Sequence, residues 1–154
     1  LRYECLLNEA YQKNIDIYEE PMKSRIKGLY ADNIIWINKN ISTSTEKAVV
    51  LAEELGHYHT TSGDILDQTK VANVKQEKLA RKWAAERLVT PAKLVEAFDC
   101  GCRSRFEIAE KLEVTEGFLL ESLNSYRDKY GIEIQVDEDH TLFLDPLAVF
   151  KAIK

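Results

Sequence analysis

Residues 42–60 read STSTEKAVVLAEELGHYHT, and the AEELGH at 52–57 inside them decides how the chain is read. With histidine at position 53 the run would be H-E-x-x-H, the helical signature of a zinc peptidase. The residue there is Glu53. Thr43-x-x-Glu46 is a capping-box pattern, so a helix opens here and runs toward Tyr58. On a helix, positions four apart share a face, so Glu53 and His57 point the same way, as the two histidines of the signature do. Glu54 sits where the signature places its general base. Ala48, Val49, Val50, Leu51, Leu55 and Gly56 make this helix apolar nearly all round, which is the mark of a buried one. Burying Glu53, Glu54 and His57 costs several kcal/mol unless something pairs with them. A divalent metal would do so. The plainer reading is a solvated acidic face with a hydrogen-bonded histidine, and the pentad alone favours it.

A second helix shifts the balance. NVKQEKLARKWAAERLV, residues 73–89, sets Glu77 among Ala80, Arg81 and Ala84 at helical spacing. Small residues let two helices approach closely, and zinc enzymes of the His2Glu type take their third ligand from such a following helix. The alternative is an i,i+4 pair of Glu77 with Arg81 on a wet surface. Taken together, pentad and second helix favour a metal site. Asp64, in the TSGD break that follows the first helix, is a substitute ligand or a turn cap, with Gly63 as the helix stop.

Elsewhere, YECLLNEAYQK reads as a short amphipathic helix, and IKGLYADNIIWINKN as two strands around Ala31-Asp32-Asn33. Thr90-Pro91 fits an N-cap followed by proline at the first helical position, opening a helix over AKLVEAF. RSRFEIAEKLEVTEGFLLESLNSYRDKYG then reads as helix, turn, helix, with Val114-Thr115 at the junction. IEIQV and HTLFL follow as a hairpin about DEDH, giving a winged-helix outline. The expected organisation is an α+β domain over residues 1–98 and a helix-turn-helix or winged-helix-like module over 99–154.

The 154 residues carry a net charge of −5. Residues 1–98 hold fourteen acidic and fourteen basic side chains, whereas 99–154 hold twelve and seven, so the tail carries the whole excess. Its would-be recognition helix brings Glu116 and Glu121 and only Arg127. Binding to DNA rests on neutralising phosphates with Lys and Arg, so the tail reads as a protein-recognition module and direct nucleic-acid binding is disfavoured. No apolar run reaches the length of a membrane span, and the start has no signal-peptide pattern. Cys5, Cys100 and Cys102 are an odd count without framework spacing, which favours a reducing cytoplasm. Cys100-Gly101-Cys102 lacks the C-x2-C spacing of zinc sites.

KGLYADNIIWINK (27–39), EKAVVLAEELGHYHTTSGDI (46–65) and QEKLARKWAAERLV (76–89), in this order, resemble the ImmA/IrrE family of metallo-endopeptidases, and more narrowly its short phage-type members. The last piece is similar to the family's E-x-x-A-x-x-[FW]-A-x-x-L-L helix. The resemblance implies a zincin-like metallopeptidase domain in which Glu54 is the general base and His57 and Glu77 are metal ligands. Glu53 then occupies the first ligand position, where the family has histidine. It further implies Zn2+, with Mn2+ or another divalent metal as alternatives, and substrate laid along an edge strand, for which NIIWINK is the candidate. The implied partner is a helix-turn-helix repressor-like protein of a phage or mobile element. Tyr30, Tyr58 and His59 are candidates to stabilise an oxyanion. His59, about 200° round the helix from His57, reaches the site only if the helix frays. A catalytically silent relative that binds its partner without cutting it is the competing reading.

Overall fold

A computed structural model describes residues 2–60 and 70–153. The fold is α+β, in two compact units, residues 1–84 and 85–154. The expected Gly63 helix stop and the Asp64 candidate lie outside the described residues.

In the first unit, α1 (Arg2–Gln12) is followed by β1 (Asp16–Glu20), β2 (Gly28–Ala31) and β3 (Ile34–Asn38). Then come α2 (Ser44–Thr60) and α3 (Lys70–Leu88), whose last turn belongs to the second unit. The sheet order is β1-β3-β2, with β1 parallel and β2 antiparallel to β3. Asp32 and Asn33, both at positive φ, make the two-residue turn between β2 and β3, as a hairpin with native twist requires. NIIWINK therefore forms the central strand, not the expected edge. Its Ile35 and Ile37 are fully buried, so hydrophobicity here marks the middle of the sheet. The edges are β1 and β2. Strand β1 escapes the sequence reading because DIYEE is almost wholly exposed and shows no apolar alternation.

Asn38, at the end of β3, is buried and fully employed. Its Nδ2 donates to the carbonyls of Met22, Lys23 and Ile26, and its Oδ1 accepts from Met22 N and Asn40 N. One amide thus ties down the segment that leads into β2.

Helix α2 begins at an N-cap, with Thr43 Oγ1 accepting from Glu46 N at 3.1 Å. It packs on α1, β2 and β3. That surround explains why Ala48, Leu51, Ala52, Leu55 and Gly56 are all buried on one helix.

The second unit holds α4 (Pro91–Asp99), α5 (Arg105–Leu112), α6 (Glu116–Tyr130), β4 (Glu133–Gln135), β5 (His140–Leu144) and β6 (Leu147–Lys151). Thr90 caps α4 with Pro91 in its first turn, and Ser104 and Glu107 form a capping box on α5. The three strands form an antiparallel sheet in the order β4-β5-β6, one strand more than the hairpin read from sequence. Helix α4 packs on α5, β5 and β6 through Leu94, Val95 and Ala97. The compact units accordingly divide between Ala84 and Ala85, ahead of the 98/99 break in sequence pattern. Tyr126 Oη donates to Val89 O at 2.7 Å, joining α6 to the residue after α3.

Candidate active site

Three candidate residues come from α2 (Glu53, Glu54 and His57) and the fourth, Glu77, from α3. The two helices touch where Gly56 faces Ala80. A Cβ on Gly56 would fall 3.0 Å from Ala80 Cα, 2.9 Å from its carbonyl carbon and closer still to its oxygen, so only glycine permits this approach. Ala80, itself buried, supplies the small surface on the other side.

That contact sets the side chains on either side of it. One residue beyond Gly56 and three before Ala80, His57 Nε2 lies 3.3 Å from Glu77 Oε1. The His57 side chain is 15% exposed and that of Glu77 54%, so a half-buried imidazole meets a carboxylate open to solvent. Beyond Ala80, His59 stacks on Trp83 with ring centroids 4.5 Å apart. His59 is thus engaged by packing, on the side of the contact away from Glu77.

Glu54 lies deeper. Burial, and then repulsion from Glu77 and Glu53, raise its carboxyl from the ordinary 4.5 to about 8. Strand β2 covers it from the other side, with Gly28 directly against its side chain. Two residues along β2, Tyr30 meets Tyr58 edge-on at 6.2 Å. Sequence reasoning passed over Gly28, although a glycine opening a strand signals a close approach.

The structure therefore brings His57 and Glu77 together, with Glu54 and the charge of Glu53 nearby. Among the described residues, no group of three or more His, Cys, Asp or Glu side chains gathers as an ion cage. Glu53 is half-buried and engaged in interactions of its own. The donors nonetheless suit a divalent cation. An imidazole nitrogen and a carboxylate oxygen face each other, and the repulsion from Glu77 and Glu53 that adds to burial in raising Glu54 is what a cation would relieve. Among the described residues no helix is long and apolar enough to cross a membrane.

The family model described as the IrrE N-terminal-like domain, of the M78 peptidases, matches residues 10–124. That span contains all four candidate residues and runs on into α6. No curated protein matches the chain.

Proposed function

The chain belongs to the IrrE N-terminal-like family of M78 peptidases, and from that premise we propose that it is an intracellular, metal-dependent endopeptidase acting on a repressor-like regulatory protein. The observation that carries this reading is the His57–Glu77 pair at 3.3 Å, set across two helices beside a half-buried Glu54. His57, Glu77 and Glu53 would hold the ion, zinc or a harder divalent metal. A bound ion would supply the field that acidifies a water and polarises the scissile carbonyl.

Glu54 does the proton work. It accepts a proton from the attacking water and returns it to the leaving amine, which requires an affinity for protons near neutrality. Its burial supplies that affinity. Among the described residues strand β2 pairs only with β3 in the sheet, so its outer side offers backbone groups to an extended segment of substrate, in the zincin-like manner. The helix-turn-helix partner of a phage or mobile element rests on the family resemblance. The acidic tail, in its winged-helix-like reading, would contact that partner.

The test is incubation with the repressor-like protein encoded beside it, read on a gel. Cleavage is expected with Zn2+ or Mn2+ present and absent in Glu54→Gln, whose metal content stays near wild type because no ligand is lost. Glu53 favours a second reading, a relative that binds this partner without cutting it. Wild-type protein that binds the partner yet leaves it intact with either metal would establish that reading instead.

A further inference from the structure

We propose that Gly28 is a positioning residue for Glu54, its missing side chain leaving the volume in which the Glu54 carboxyl group is held. The inference rests on the reading of Glu54 as the general base. A Cβ at position 28 would stand 2.9 Å from Glu54 Oε1, 3.0 Å from Glu54 Cγ and 2.7 Å from Val50 Cγ1. Non-bonded carbons settle at about 3.5–4.0 Å, so all three separations are repulsive.

The glycine is not there for its backbone. Only Gly101 and Gly131 among the described glycines take positive φ, so any residue could adopt the torsions of Gly28. Glycine in a strand forfeits packing and costs about 0.5–1 kcal/mol against alanine. What it provides here is space.

The placement is systematic. Gly28 lies on Glu54, and Tyr30 meets Tyr58 four residues further along α2. Two strand residues advance about 6.6 Å and four helical residues about 6 Å, so β2 and α2 keep step. Leu29, between them, is half-exposed on the other face. The strand thus presents a full aromatic ring to Tyr58 and no side chain at all to Glu54. Nor is β2 free to lift away. Asn38 N donates to Lys27 O and Asn38 Nδ2 to Ile26 O, fixing the backbone just before Gly28. An added methyl would therefore be accommodated by displacing the Glu54 and Val50 side chains rather than the strand.

The experiment measures the stability penalty of Gly28→Ala, by denaturant unfolding in chelator, in three backgrounds: wild type, Glu54→Ala and Val50→Ala. Expected is a penalty that shrinks at least tenfold in the unfolding constant, about 1.4 kcal/mol, when Glu54 is truncated, and less when Val50 is. Relief only in Val50→Ala would overturn the proposal, since the glycine would then serve strand–helix packing alone. Should Gly28→Ala fail to fold, the background that restores folding decides between the same outcomes. This arm needs no activity, so it reads independently of the functional assignment. Where cleavage is observed, Gly28→Ala should lower kcat tenfold or more with KM within about twofold, because orientation at the reacting centre is what changes. A raised KM with kcat preserved would count against it.

Discussion

Position 53 carries a carboxylate, and in the proposed site it would stand in for an imidazole ligand. With Glu53 and Glu77 both ionised, the formal charge of a divalent ion is cancelled, and carboxylate-rich sites suit harder metals better. Glu53→His should tighten zinc at least tenfold, about 1.4 kcal/mol, in calorimetric titration of metal-free protein. An unchanged affinity would show that position 53 is not a ligand. Glu54 gives a prediction of opposite character. Between about 4.5 and about 8 the folded protein holds a proton on Glu54 that the unfolded chain has released, so the native state binds more protons there. Its contribution to stability is therefore lost as pH rises through that window. At about 1.4 kcal/mol per unit, the cost by pH 8 is on the order of a few kcal/mol. In chelator, Glu54→Gln should be the more stable protein at pH 8, and the difference should vanish below about pH 4.5; melts across pH that run in parallel would contradict this. The candidates at these positions were legible because helical spacing alone puts Glu53 and His57 on one face. The raised proton affinity of Glu54 was not, since it depends on a strand laid over it from elsewhere in the chain.

Between elements, the decisive contact is the one at Gly56. Gly56→Ala should press α2 and α3 apart, costing about 1–3 kcal/mol as other overpacked sites do. Because His57 and Glu77 flank that contact, zinc affinity should fall with stability. A variant that loses stability but binds zinc as before would uncouple the helices from the site. The two long helices, the β2–β3 hairpin and the capped starts at Thr43 and Thr90 all followed from local signals, because each is written within a few consecutive residues. Strand roles did not follow. β3 looked like an edge for substrate, yet it is covered on both sides by β1 and β2, and β1 carries too little apolar surface to announce itself. Sheet order is set by long-range pairing, which no window of sequence contains.

For the molecule as a whole, charge is the most direct guide. The excess of acid over base in residues 99–154 predicts weak binding to random duplex DNA, with little dependence on salt, because few cations are present to release counterions. Tight binding in a gel-shift assay that collapses as salt rises would instead give α5 and α6 a DNA-binding role. The sequence pattern changes near residue 98, whereas the packing of α4 against β5 and β6 joins residues far apart in sequence and could not be read from it. One contact also lends the protein an optical signal. His59 lies flat on Trp83, one of two indoles in the chain, and a protonated imidazole quenches indole emission where a neutral one does so weakly. Burial and then Lys13 hold the His59 imidazole below its ordinary 6.5, with Glu9 opposing, so emission should dim only once the solution is more acidic than that. His59→Gln should abolish the step while leaving Trp36 emission in place. Fluorescence can then follow the closeness of α2 and α3 in real time, through a chromophore that needs no label.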